Sequence, residues 1–178
     1  MSIEGKGKAT KALVNKVIRQ IDNCNQEYDR VWAVFDKDEF DDFDDAIKLA
    51  ESKNINCAWS NKCFELWLLL HFKDVSVPTG RKVLFEELEQ AIRNALHKNA
   101  PEALFDLSKG NDKIYELVTS LGSEAEAIRR ASALKAMFKG TAKPSEQNPC
   151  TQMDLLIHEL RHPETIPLSS DTRKENLT

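Results

Sequence analysis

Apolar residues return at helical spacing from the start of this chain. Leu13, Val17, Ile18 and Ile21 share one face across 9–21, which predicts an amphipathic helix. The run Val31-Trp32-Ala33-Val34-Phe35 then reads as a strand. Phe43, Ala46, Ile47, Leu49 and Ala50 restore the helical period between Asp41 and Lys53, with acids in the first turns, where the helix dipole favours them. Asn54–Trp59 is a second short, buried strand. Helix, strand, helix, strand in this rhythm predicts an α/β fold with a parallel sheet.

Ser60–Phe72 has a different texture. Ser60 or Asn61 would cap a helix, Glu65 would fall in its first turn, and the Leu run around Trp67 is apolar on nearly every face. Such a helix should be buried on both sides. Helical spacing follows over 83–98, 113–121 and 123–138, with breaks at Pro78-Thr79-Gly80 and Leu107-Ser108-Lys109-Gly110. A polar loop over 140–149 leads to a last amphipathic helix, 151–161, capped by Thr151. The pattern predicts a core over 1–75, a helical segment packed on it over 76–162, and a polar, disordered tail over 163–178.

Composition changes little. At 178 residues, 41% hydrophobic and 30% charged, the chain suits one globular domain with a helical appendage. Its longest apolar stretch, Phe64–Phe72, is interrupted by Glu65 and His71 and is too short for a bilayer. Residues 1–8 lack the apolar core of a secretory signal, so no membrane partner and a cytoplasmic location are expected. A net charge of −4 argues against coating nucleic acid by bulk attraction, but not against an enzyme that grips it locally. Cys24, Cys57, Cys63 and Cys150 match no zinc spacing and are expected to be reduced thiols. His158 and His162 share a helical face, yet no third ligand stands near them in sequence.

The candidate chemistry sits at Asp36-Lys37-Asp38, where the first strand stops. Side chains in extended backbone alternate, so the two carboxylates are expected on one side. They repel unless a cation lies between them, and strand C-termini are where α/β sheets bind ligands. A Mg2+ or Mn2+ site built from hard oxygens is one reading; local Asp turn chemistry is the other. Glu65 is expected at the same edge, at the end of the second strand. Lys37 would touch a phosphate beside a metal, or would simply be solvated.

Two blocks carry a family resemblance. Val34-Phe35-Asp36-Lys37-Asp38-Glu39-Phe40, and Ala58-Trp59-Ser60-Asn61 followed by Cys63-Phe64-Glu65-Leu66-Trp67-Leu68-Leu69-Leu70-His71-Phe72, closely resemble the RloB family. Asn148-Pro149 and Thr151, with Leu155, Leu156 and Leu160, resemble that family's final helix. RloB-like proteins are associated with restriction and abortive-infection loci of bacteria and archaea, beside an ATPase of the ABC or AAA type. They are similar to Toprim-fold proteins. The resemblance therefore implies a Toprim-like parallel sheet, a Mg2+-dependent nuclease acting on RNA or DNA, and a partner ATPase. It implies Asp36 and Asp38 as metal-binding and catalytic carboxylates, Glu4 as their third partner, and Glu39, Glu65, Asn61 and Lys37 as supporting residues.

The N-terminus departs from the family. Ile3-Glu4-Gly5 is either the family's catalytic Glu-Gly or the end of its second strand, and Lys6-Gly7-Lys8-Ala9-Thr10 looks more like the latter. On that view the first strand, its helix and the catalytic glutamate are missing, as in a truncated reading frame. A catalytically degenerate binding or regulatory subunit of the same ATPase complex is then the alternative. Phosphotransfer through an aspartyl-phosphate ranks last, because no accompanying Thr/Ser–Lys pattern stands out.

Overall fold

A computed structural model describes residues 10–24, 28–99, 113–140 and 143–165 of the chain. Glu4 with its neighbours Ile3 and Gly5, the Leu107–Gly110 break and residues 166–178 lie outside the described residues.

The first helix, α1, runs Thr10–Asn23 and leads to strand β1, Trp32–Asp36. Helix α2, Phe43–Glu51, connects to β2, Asn56–Asn61, which pairs parallel to β1 with Asp36 opposite Ser60. The parallel pair is therefore as the helix–strand rhythm predicts. A third strand, β3 (Cys150–Thr151), pairs antiparallel on the far side of β2, opposite Ser60 and Asn61. Two residues are too few to leave a periodic signature, and the sequence pattern carries no sign of them. Ser60 and Asn61 extend β2 instead of capping a helix, because Ser60 Oγ meets Thr151 Oγ1 at 2.9 Å across the ladder.

The Leu-rich block is a short helix, α3, Glu65–Leu69. Leu66, Trp67, Leu68, Leu69 and Leu70 are all buried, as all-round apolarity requires. Helices α4 (Arg81–Asn99), α5 (Ile114–Leu121), α6 (Glu124–Met137) and α7 (Met153–Arg161) follow. Thr151 still serves the last helix: its hydroxyl accepts the Met153 N–H at 3.2 Å, although Gln152 takes the cap position. Pro163–Thr165 is a single 3-10 turn.

Strand alternation sorts the core onto two faces. Ala33, Val14, Ala46, Ala50 and Ile55 pack β1 against α1 and α2. On that face Phe43 also makes edge contacts with Phe35 and Trp59, at 5.7 and 5.6 Å between centroids. Ala58 and Trp32 turn the other way, toward α3, α4, α6 and α7. The same alternation places Asp36 on the Trp32 side, at the edge where the chain re-enters as Cys63–Glu65.

Polar ties fix this frame. The acids opening α2 do more than complement its own dipole: Asp42 accepts the Lys11 backbone N–H of α1 at 3.0 Å, and Asp44 accepts both the N–H and the hydroxyl of Ser145. Trp32 Nε1 donates to Glu159 on α7 at 2.9 Å. Gly122 is required where α5 turns into α6, since a Cβ there would stand 2.8 Å from the His71 Cβ. No helix among the described residues is long and apolar enough to cross a membrane.

Candidate functional site

Strand β1 ends at Asp36, and the chain leaves it through a tight turn rather than in extended form. Lys37 N–H donates to Ser60 O at 2.9 Å, Asp38 N–H to Lys62 O at 3.1 Å, and Phe40 N–H to Lys37 O at 3.1 Å. Asp38 has φ +42°, a left-handed conformation that Asp tolerates better than most residues. Strand alternation, from which the sequence predicts both carboxylates on one side, therefore does not align them. The turn does so, holding Asp38 within electrostatic reach of Asp36.

The other wall comes from the link between β2 and α3. Phe64 offers its backbone N–H to the Asp36 carboxylate, and Glu65 adds a further negative charge close by. Cys63, fully buried, donates its thiol to Glu65. Glu65 Oε2 is buried without a hydrogen-bond partner. Burial is the largest influence on Asp36, pushing its carboxyl up to about 7 against the pull of the Phe64 N–H; Glu65 and Asp38 add to the rise, and Arg81 opposes it. The Cys63 thiol is also pushed well up, by burial first and then by Glu65 and Asp36.

One cation reaches this cluster among the groups described. Arg81, the first residue of α4, donates Nη1 to Asp38 Oδ1 and lies 5.7 Å from the centroid of the Phe85 ring. The sequence reading leaves Arg81 out. A signal was present: Arg81 and Lys82 open a helix that has no acid in its first turn, the reverse of what the dipole favours.

The remaining sequence candidates scatter. Glu39 is exposed in the turn and Lys37 is half-buried. Asn61 is fully buried, but its amide donates to the carbonyls of Pro144 and Ser145 at 3.2 and 3.0 Å, which commits it to anchoring that turn. Glu4 lies outside the described residues. The rings of His158 and His162 lie 4.9 Å apart, tilted by 44°, both exposed, with Glu164 beside His162. All four cysteines are free thiols.

The donor set at the strand end suits a hard divalent cation: carboxylate oxygens, an orphaned lone-pair site on Glu65, and an Asp36 anion that burial disfavours. Among the described residues, no group of three or more His, Cys, Asp or Glu already stands at metal-holding spacing. Asp38 is engaged by Arg81 instead. The deeper concavities lie elsewhere: a cleft of about 710 Å3 runs between His71, α4 and α6, and it contains none of these carboxylates. The carboxylate edge, where Asp36, Asp38 and Glu65 meet, remains the candidate site.

A family model described as RloB-like protein matches residues 1–160 of the chain. No curated protein and no solved structure matches it.

Proposed function

The chain belongs to the RloB-like family, and from that premise we propose that it is a Toprim-like, divalent-metal-dependent nuclease-type effector. On this proposal it serves a bacterial or archaeal abortive-infection system together with an ABC- or AAA-type ATPase. The observation that carries the proposal is the meeting of Asp36, Asp38 and Glu65 at the end of β1, with the Asp36 carboxyl pushed up to about 7. Half-buried carboxylates crowded in this way are costly to a fold and are common at sites that bind a cation.

Asp36, Asp38 and Glu65 would hold Mg2+ or Mn2+, with Glu4 as the further ligand that the family resemblance implies. When bound, the metal would polarise a phosphodiester and help to generate the attacking hydroxide. The chain's own groups do the positioning. The Phe64 N–H orients the Asp36 carboxylate, and the Cys63 thiol holds one oxygen of Glu65, leaving Oε2 to turn toward the cation.

The test is cleavage of total bacterial RNA and of plasmid DNA by the purified chain with Mg2+, with Mn2+ and with chelator, beside Asp36→Ala. The expected outcome is metal-dependent cleavage that Asp36→Ala lowers beyond the roughly 10–100-fold typical of losing an outer-shell partner. Undiminished cleavage by a folded Asp36→Ala protein would remove the catalytic role. A second reading is a catalytically degenerate subunit of the same ATPase complex, favoured by the engagement of Asp38 with Arg81. It predicts tight ATPase association and no hydrolysis with any metal.

A further inference from the structure

We infer that Arg81 is the resident counter-cation of the carboxylate edge, seated on Asp38 where a divalent metal would bind, so that it must leave for the metal to enter. The inference rests on the metal-centre proposal above and adds the residue that controls loading.

The geometry is direct. Arg81 Nη1 donates to Asp38 Oδ1. The guanidinium charge is also felt at Asp36, Cys63 and Glu65, so it serves the cluster and not one partner alone. A single carboxylate oxygen cannot accept this bond and face a small dication at full strength, since the two positive charges would sit a few ångströms apart. A metal bound through Oδ1 therefore requires Asp38 to exchange partners.

Arg81 is placed so that it can move. It lies at the first position of α4, where the helix dipole opposes a base, and is held there by Asp38 and by the Phe85 ring. A Cβ added at the preceding Gly80 would meet nothing within 4 Å, and Val77 before it is 64% exposed. The Arg81 side chain is 39% exposed, which leaves a short swing into water. Anything that shifts the first turn of α4 would then change the affinity of the site for metal, which makes this turn the natural point of control.

Mn2+ binding to the full chain, followed by the loss of the free-ion EPR signal, tests the inference. Arg81→Gln is expected to bind Mn2+ roughly fivefold tighter, the size appropriate to a half-exposed, charge-assisted contact. Arg81→Lys, which keeps the charge, should stay within about twofold of the unmodified chain. In an Asp38→Asn background the gain from Arg81→Gln should vanish, because the shared partner is gone. Equal or weaker binding by Arg81→Gln, with binding still abolished by Asp36→Ala, would overturn the role of Arg81 and leave the metal centre standing. No Mn2+ binding by any form, or binding indifferent to Asp36→Ala, would overturn both. Should Arg81→Gln fail to fold, the Arg81 Nε–H resonance of the unmodified chain decides: it should shift as Mg2+ saturates the site, and a stationary resonance would overturn the inference.

Discussion

Asp36, half-buried, and Asp154, fully buried, are both carboxylates close to a strand end, and the charges around them differ. Asp154, in the first turn of α7 and 4% exposed, has a cation of its own: Lys135 of α6 donates Nζ to its Oδ2. Asp36 has the Phe64 N–H and two carboxylate neighbours, while the nearby guanidinium is bonded to Asp38 and reaches Asp36 only through its charge. A buried charge with a dedicated partner is a structural tie between two helices. One that shares its surroundings with like charges is held in a state that folding alone would not favour. On the proposal above, a bound cation would offset that cost at Asp36, as Lys135 does at Asp154.

Removing the dedicated partner should produce the largest effect. Lys135→Met leaves Asp154 buried and uncompensated, which costs about 3–5 kcal/mol when a buried pair is broken. Urea denaturation should show this loss, and cleavage by the remaining folded protein should be unchanged. A loss below about 1 kcal/mol would mean that water reaches Asp154 and that the contrast with Asp36 is overstated.

At Asp36 the sign reverses. Its folded carboxyl titrates at about 7, above an ordinary carboxyl near 3.8, so its contribution to stability is fully present below about pH 4 and is lost as pH rises through 7. At pH 8 the metal-free protein carries the whole cost. Asp36→Asn keeps the shape and the acceptor for Phe64 N–H but removes the charge. It should stabilise the chelator-treated protein at pH 8 by about 2–4 kcal/mol, with the gain shrinking toward zero near pH 4. A destabilised Asp36→Asn protein at pH 8, or a gain independent of pH, would show that Asp36 is as well accommodated as Asp154.

The contrast was half legible in the sequence. Asp36 could be placed at a strand end because Val31–Phe35 is a local signal, and the burial of Leu66–Leu70 followed from apolarity on every face. The facts that decide the electrostatics are long-range. Arg81 is 43 residues from Asp38, and only its oddity as a base opening a helix marks it. Strand β3 is invisible for the same reason: Cys150 and Thr151 are strand only because Ser60 and Asn61 lie opposite. Asn61 reads as a helix cap by residue type, and its buried anchoring of Pro144 and Ser145 depends on a partner more than 80 residues away.

A third buried titratable group gives the finest test. His71 is 2% exposed, its Nδ1 lies 3.0 Å from Trp67 O, and its Nε2 is buried without a partner. Burial lowers its pKa, outweighing the Trp67 carbonyl and Glu124, so the folded protein holds it neutral. The unfolded chain takes up a proton near the ordinary histidine value of about 6.5. The stability His71 contributes is therefore present above that pH and is lost progressively as pH falls below it. Asp36 changes in the opposite direction over the same interval, so the two slopes offset each other in the unmodified chain. They separate in the Asp36→Asn background, where urea denaturation from pH 7.5 to 5 should show stability falling. Adding His71→Gln should flatten that fall, whatever it does to stability at pH 7.5. The other histidines (His97, His158 and His162) are exposed and remain in both proteins. A fall of equal size with and without His71 would assign the proton uptake elsewhere, and would leave Asp36 as the buried group whose titration the fold feels.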